Sequence, residues 1–228
     1  MMERRIITIP PGLFAPTQFD WDIDWRAQSA GETGDGVTRT VFNAFPRWIG
    51  SPSVVLVHSQ IAAWRAIRAQ AQGAVGVYRV PMSDPITYSP RGAAPEGWID
   101  DGVPLANGQR LATGEGTSYE PFVRAKRAEA AGAEVIRIDT GGQSVPVPGQ
   151  IMSHDDWPFV LTSATRLSGT IYECQVQMPL RRALPLGARI DLRARGLFEI
   201  ASDGTGNPAY GASRVSSITV EFREWLNR

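Results

Sequence analysis

The side chains best suited to chemistry are few and lie far apart in the sequence. His58 ends the apolar run VVLVH, and His154 stands beside two aspartates in the run SHDDW. A zinc site needs several Cys or His ligands at short spacings, and the one cysteine, Cys174, is distant from both histidines. We therefore expect His58 to make a local hydrogen bond at a strand end, and His154 to lie in a turn with solvated charges. The alternative for SHDDW, a bound metal ion, requires a tightly curled loop.

Asp20, Asp22 and Asp24 superficially resemble the start of a calcium-binding loop. Such a loop needs glycine at its sixth position and glutamate at its twelfth, where this sequence has Trp25 and Gly31. Because side chains alternate along a strand, the three carboxylates are expected to share one face of a strand instead of surrounding a point. The pattern predicts a strand edge that faces solvent or another subunit.

Signatures of catalysis are also sparse. The sequence has no G-x-S-x-G elbow and no P-loop, and the loose glycine pair Gly204 and Gly206 favours a hairpin turn. Cys174 alternates with apolar residues, which predicts a buried, inert thiol. A cell-wall hydrolase would need two facing carboxylates, for which the sequence offers no pattern. We expect a protein that is not an enzyme, with no catalytic, cofactor-binding or metal site.

The amino-acid composition indicates which kinds of partner the protein is suited to bind. The chain has 228 residues, with 23 Lys and Arg against 23 Asp and Glu, so its formal net charge is zero. A protein that binds nucleic acid or anionic membranes by bulk charge is normally basic, whereas a neutral chain repels its own copies little. The sequence has no apolar run long enough for a signal peptide or a membrane span, which predicts assembly in a cytoplasm without membrane insertion.

Alternating apolar and polar residues predict strands in most of the chain. The alternation is clearest in residues 19–26, 170–178, 188–194 and 213–225, each with one apolar and one polar face. Strands with one wet face are typical of antiparallel sheets. The expected fold class is therefore mainly β (α+β), an antiparallel β-sandwich with one packed helix.

The helical period appears at residues 60–72, which are rich in good helix formers. Ser59 is the expected N-cap and Gly73 the expected stop. One stripe of this helix is apolar and predicts packing on a sheet. Its members are Ile61, Trp64, Ile67 and Ala71.

The middle of the chain is expected to be an insertion. Residues 82–118 are dense in Pro, Gly, Asp and Asn and show little periodicity, which predicts a long loop. Residues 120–131 are rich in helix formers, with Pro121 at their start, and predict a second short helix. The expected organisation is a split domain, residues 1–86 and 148–228, interrupted by an insertion over residues 87–147.

Three stretches together resemble a known family. WRAQSAGETGDGVTRTVFNAFPRWIG is similar to its strand, glycine turn and strand ending at a tryptophan. The run IAAWRAIRAQAQG followed by VYRVPMSDP is similar to its single helix and short strand. ECQVQMPLRRALPLGARIDLRARGLFEIASDG is similar to its strand ending in Pro-Leu-Arg, here Pro179, Leu180 and Arg181, followed by a glycine, Gly187. The family is that of the ring-forming distal tail proteins of long-tailed, non-contractile phages and gene transfer particles.

The resemblance implies a structural virion component built on a β-sandwich "belt" domain. Six copies of that domain would form a hexameric ring that links the tail tube protein to the baseplate hub protein. DNA would pass through the ring only as cargo, and the subunit would be found in the tail of a virion or phage-like particle that is assembled in the bacterial cytoplasm. Residues 93–118 are the expected contact with the hub or with another subunit.

The residues expected in the core or at a subunit interface are mostly aromatic, since aromatic residues are enriched in both. The set is Trp25, Arg39, Trp48, Trp64, Trp98, Arg181 and Phe222. An alternative function is a carbohydrate-binding β-sandwich for host attachment. That alternative requires two or three tryptophans lying coplanar on one open face.

Overall fold

The computed structural model confirms a mainly β fold with one α-helix in the part of the chain that it describes. The described residues are 4–13, 16–18, 20–32, 35–36, 38–41, 45–82, 84, 94–209 and 214–228.

Seventeen strands lie in these residues, together with helix α1 (Ser59–Ala71). In chain order the strands are β1 (Ile6–Thr8), β2 (Pro16–Gln18), β3 (Asp22–Asp24), β4 (Gln28–Glu32), β5 (Thr38–Val41), β6 (Arg47–Gly50), β7 (Ser53–Val57), β8 (Val77–Pro81), β9 (Phe122–Ala125), β10 (Val135–Asp139), β11 (Ile151–His154), β12 (Trp157–Ser168), β13 (Ile171–Gln177), β14 (Arg189–Asp191), β15 (Arg195–Ile200), β16 (Val215–Thr219) and β17 (Phe222–Glu224).

The chain forms two compact units. The first contains Met1–Pro81 and Leu197–Arg228, and the second contains Met82–Gly196. The insertion predicted over residues 87–147 falls within the second unit, although residues 85–93 lie outside the described part of the chain. The second unit extends to Gly196, because residues 148–196 contain strands β11–β14. These strands join β9 and β10 in one sheet.

Three sheets build the first unit. The largest has six strands in the order β1-β8-β15-β17-β6-β3, the second has the order β16-β7-β2, and β4 pairs with β5. β1 and β8 run parallel, which departs from the expected antiparallel pattern. The long alternation predicted over residues 213–225 is divided between two sheets, since β16 pairs with β7 and β17 pairs with β15 and β6.

Helix α1 confirms the helical period of the sequence with a shift of one residue. Ile61, Trp64 and Ala71 are buried as expected, and Ile67 is half-buried. The prediction that Ser59 is the N-cap is wrong, because Ser59 is already helical and the capping position is His58, at φ 39° and without a side-chain cap. At the other end Gln72 adopts the left-handed conformation, and Gly73 begins a short 3-10 helix (Gly73–Val75).

An aromatic cluster fills the first unit. Trp21 lies 5.1 Å from Phe198 and 6.0 Å from Phe222, between ring centroids. The ring of Tyr78 lies 6.3 Å from Phe222 and 6.3 Å from Trp64 on helix α1. The cluster therefore joins the helix to strands from both ends of the chain, which makes residues 1–81 and 197–228 one folding unit.

The second unit contains a closed antiparallel barrel with the strand order β10-β13-β12-β11-β14-β9. Its core is almost entirely aliphatic, with Ile136, Ile138, Leu161 and Leu184 fully buried. The barrel closes because β9 (Phe122–Ala125) pairs with both β10 and β14, which come from distant parts of the sequence. The sequence predicted a β-sandwich and did not predict a closed barrel in this part of the chain.

The second helix predicted over residues 120–131 is wrong, because Phe122–Ala125 forms strand β9. The burial of this segment has period two, with Val123 and Ala125 in the barrel core and Arg124 exposed. Strand β9 begins with Phe122 and Val123, which have weak helix propensity, and it pairs with β10 and β14. In the helix-forming run that follows, Lys126 and Glu129 donate backbone hydrogen bonds to the distant residues Arg137 and Leu184 instead of to a helix.

Candidate interaction surface

The cysteine thiol, one of the reactive groups of the sequence, lies in the core of the fold. Cys174 lies fully buried in the barrel core, and burial raises the pKa of its thiol to about 12. The expectation of a buried thiol is confirmed, and a raised pKa is what burial in apolar surroundings gives a cysteine.

His154 ends strand β11, and Asp155 and Asp156 form the two-residue turn that leads into β12. Both aspartates have positive φ, 50° and 62°, as a tight hairpin turn of this type requires. His154 Nδ1 lies 2.8 Å from the carbonyl oxygen of Arg189, and Asp156 is 3.6 Å from Arg195. The expected turn is confirmed, and its charges take part in ion pairs on the barrel surface.

Arg189 and Arg195 organise those ion pairs. Arg189 donates to Glu120 at 2.7 Å and to Asp191 at 2.5 Å, and Arg195 approaches the second oxygen of Asp191 at 3.1 Å. Each of the three carboxylates, Glu120, Asp156 and Asp191, has an arginine partner, so the charges of this cluster are largely paired within the barrel wall.

Within the described residues, no group of three or more His, Cys, Asp or Glu side chains is arranged to hold a metal ion. In the same part of the chain, no helix is long and apolar enough to cross a membrane.

The residues predicted for the core or an interface divide into several groups. Trp48, Trp64 and Phe222 are buried in the first unit. Trp25 is 43% exposed, since β3 ends at Asp24 and Arg26 turns the chain with a φ of 52°. The predicted alternation over residues 19–26 therefore holds at Ile23 and fails at Trp25, while Phe19 lies outside the described residues.

The other predicted residues lie apart from these. Arg39 is in strand β5, and its side chain is outside the described part of the structure. Trp98 packs edge-on against Tyr119 with 5.8 Å between ring centroids, and Arg181 lies half-buried beside Met178 on the barrel unit. No single site brings the predicted set together.

The outward face of the six-stranded sheet is charged. The register places Glu199 opposite Arg223, Arg223 opposite Ile49 and Ile49 opposite Asp22. Arg223 donates to Glu199 at 2.7 Å, and Arg4 donates to the same carboxylate at 2.9 Å. This row is charged except at Ile49, which is 37% exposed, so most of the face is suited to contact with solvent.

The outward face of the three-stranded sheet carries both valines and small polar side chains, since Ser217 stands opposite Val55 and Thr219 opposite Ser53. We call its three exposed valines the valine face (Val55, Val57 and Val215). Val57 stands directly opposite Val215 across β7 and β16, and Val55 is two residues from Val57 on the same side. The three side chains are 40–41% exposed. Their neighbours Val54, Leu56 and Ile218 point inward and are buried. Contiguous exposed aliphatic side chains on a sheet mark a contact surface more often than scattered ones do.

A basic cavity adjoins the valine face at the end of the same two strands. His58 follows Val57, Arg214 precedes Val215, and the backbone N–H of His58 donates to the carbonyl oxygen of Arg214 at 3.1 Å. The open cavity measures about 400 Å³ and lies beside the first turn of α1. It is lined by His58, Ser59, Ile61, Ala62, Arg65 and Arg214. Among the described residues that line the cavity are two arginines, Arg65 and Arg214, and no acidic residue, and the first turn of α1 has no acidic residue either. Arg214 and the N-terminus of α1 favour a positive local potential.

An acidic edge (Asp20, Asp22, Asp24 and Trp25) lies at β3, the last strand of the six-stranded sheet. Asp22 accepts the backbone N–H of Ile23 at 2.7 Å, and Asp20 accepts that of Ser51 at 2.6 Å. Asp24 pairs with Arg47 at 3.4 Å. The sequence predicted a strand edge that faces solvent or another subunit. The structure confirms that these residues lie at the edge of a sheet. Carboxylates that bind backbone N–H groups here also protect the strand against pairing with another sheet.

The valine face and the basic cavity were not predicted, because the run VVLVH gives no alternation. Only the register of β7 with β16 decides which valines point outward.

A comparison with protein-family models finds no match for this chain, and no curated protein matches it.

Proposed function

We propose that the protein is a structural subunit of a phage-type tail, a distal tail protein whose copies form a closed ring between the tail tube and the baseplate hub. In this role the chain binds copies of itself and the tube and hub proteins, and DNA passes through the ring without being held.

The observation that carries this proposal is the construction of the first unit. Residues from both ends of the chain build one β-rich unit with a single packed helix, and the middle of the chain forms a unit of its own. A β-rich unit with one helix is what the family resemblance implies for a belt domain.

The surfaces of the first unit support the same function. Its valine face is apolar where the outward face of the six-stranded sheet is charged, so the two faces suit different environments. Repeated contacts in a ring cover such an apolar face in every copy. A stable contact needs about 1,000 Å² or more of buried surface, to which the valine face and its surroundings contribute.

The alternative of a carbohydrate-binding module needs an open platform of tryptophans. All seven tryptophans lie in the described part of the chain, and only Trp25 among them is exposed. Trp98, which stands in loop sequence, instead packs edge-on against Tyr119. No specific observation favours that alternative.

The position of the protein in a particle tests the proposal. Particles released from producing cells would be labelled with gold-coupled antibodies raised against this chain and imaged by electron microscopy. The expected result is label at the tail end distal to the head. Label along the whole tube, on the head or absent from intact particles would contradict a distal tail protein.

A further inference from the structure

Two surfaces of the first unit complement each other in charge. The basic cavity is lined by Arg65 and Arg214, whereas residues 20–26 carry three carboxylates and Arg26, and one of these carboxylates, Asp24, pairs with Arg47 at 3.4 Å. Asp20 and Asp22 are exposed. Opposite potentials on two surfaces steer association and fix its register more than they raise affinity.

The same two surfaces complement each other in their apolar parts. Trp25 is 43% exposed directly after the acidic edge strand, and the valine face lies directly before the basic cavity. Each surface therefore combines exposed apolar side chains with charged ones. A tryptophan that packs on aliphatic side chains is a frequent source of binding energy in protein contacts.

We propose that the acidic edge of one copy docks on the valine face and basic cavity of the next copy. The inference rests on the proposed function, because it assigns the surfaces through which identical subunits of the ring meet. Since the two surfaces differ, the contact is head-to-tail, and each added copy leaves one of each surface free until the ring closes.

A symmetric contact, valine face against valine face, fits the charges less well. In such a contact the surface that meets each valine face carries no carboxylate of the acidic edge, so it offers the adjoining arginines no opposite charge. The acidic edge instead supplies carboxylates to the cavity of its neighbour. A contact of this kind weakens as salt rises, because screening reduces the attraction between exposed charges.

Two variants, each blocking one surface, test the inference. The face variant carries Val57→Glu and Arg214→Glu, which place negative charge opposite the acidic edge. The edge variant carries Asp20→Asn, Asp22→Asn and Trp25→Lys, where asparagine keeps an oxygen for the hydrogen bonds of Ser51 and Ile23. Sedimentation velocity measures assembly at a concentration at which the unmodified protein is fully assembled, and circular dichroism checks that each variant is folded.

A control variant carries Val147→Glu and Arg193→Glu in the second unit. Val147 is 42% exposed, close to the 40% of Val57, and Arg193 is exposed as Arg214 is. The change in net charge is the same as in the face variant, so the control separates a local effect from an effect of total charge. We expect the control to assemble like the unmodified protein.

The decisive sample is an equal mixture of the face and edge variants. Each variant alone is expected to be monomeric, with its apparent affinity for itself lowered at least about tenfold. The mixture is expected to give dimers and nothing larger, because one intact contact can form between the two variants.

Other outcomes overturn the inference. If either variant assembles fully alone, if the mixture stays monomeric, or if the control also dissociates, the assigned contact is wrong while the ring can still exist. If the unmodified protein is monomeric at every concentration, the proposed function fails and the inference fails with it.

Discussion

Glu199 receives hydrogen bonds from two arginines on the charged face of the first unit. Arg4 donates to it at 2.9 Å and Arg223 at 2.7 Å. Partial burial acts to raise the pKa of this carboxyl, and the hydrogen bonds and charges of the two arginines outweigh burial, so that the pKa lies below its usual value of 4.5. The folded protein therefore favours the ionised form of Glu199.

The sign of the resulting pH dependence follows from linkage. A carboxyl whose pKa is lowered on folding stabilises the fold above its unfolded pKa, and this stabilisation is lost as pH falls through the folded pKa. Glu199→Gln should lower the free energy of unfolding by about 1–3 kcal/mol at pH 7. The difference from the unmodified protein should shrink below about pH 4.

Urea titrations followed by tryptophan fluorescence across this pH range measure the effect. Glu221→Gln is the matched control, because Glu221 is exposed and lies two residues from Arg223. Its effect should stay within about 0.5 kcal/mol at every pH. A loss for Glu199→Gln that is the same at pH 3 and pH 7 would show that the ion pairs are not its cause.

The turn that ends at Gly206 fixes helix α1 to the sheet below it. Trp64 Nε1 donates to the carbonyl oxygen of Gly206 at 2.7 Å, and the backbone N–H of Gly206 donates to Thr219 at 2.9 Å. Gly206 has a φ of +68°, and a Cβ there would stand 2.8 Å from Val220 Cγ2 and 3.3 Å from Trp64 Cζ2. The turn therefore needs glycine for its backbone conformation and for close packing.

Gly206→Ala should lower the free energy of unfolding by about 1–3 kcal/mol. Gly204→Ala lies in the same turn and is the control, because a Cβ at Gly204 would meet nothing within 4 Å. The control should change stability by less than about 0.5 kcal/mol. Equal losses for both variants in urea unfolding would contradict the contact described for Gly206.

Elements with a local pattern were predictable from the sequence, and elements that depend on distant pairing were not. Helix α1 follows from its apolar stripe, and the burial of Trp48 and Phe222 follows from strand alternation. The segment predicted as a second helix, residues 120–131, contains many helix-forming residues, yet its first part pairs with β10 and β14 as strand β9. No local window of the sequence contains those partners.

In the candidate interaction surface, too, residues with a local pattern were predictable and residues placed by distant pairing were not. The acidic edge was predictable because Asp20, Asp22 and Asp24 alternate with apolar residues. The valine face became visible only through the register of β7 with β16, which lie about 160 residues apart in the chain. Trp25 was expected on the buried side of its strand and is exposed, since β3 ends before it.

At the scale of the whole molecule, a net charge of zero hides an uneven distribution. Basic groups line the cavity beside α1, and carboxylates line the free edge of the six-stranded sheet. A neutral chain with separate basic and acidic surfaces can add copies of itself without accumulating charge. This property suits a subunit that is repeated around a ring.

The barrel of the second unit is built from the middle of the chain. Its closed barrel carries no free strand edge among the strands β9–β14, and its charged cluster is internally paired. In the proposed ring the first unit would supply the repeated contact, and the second unit would be available to the tube or hub protein.

The stoichiometry of the pure protein in solution tests the central claim most directly. Native mass spectrometry over a dilution series would give the mass of each species present. A closed ring predicts one discrete assembly, of six copies if the family resemblance holds, in equilibrium with monomer and without a ladder of larger masses. Monomer alone at the highest concentration, or an open-ended series of masses, would contradict the account.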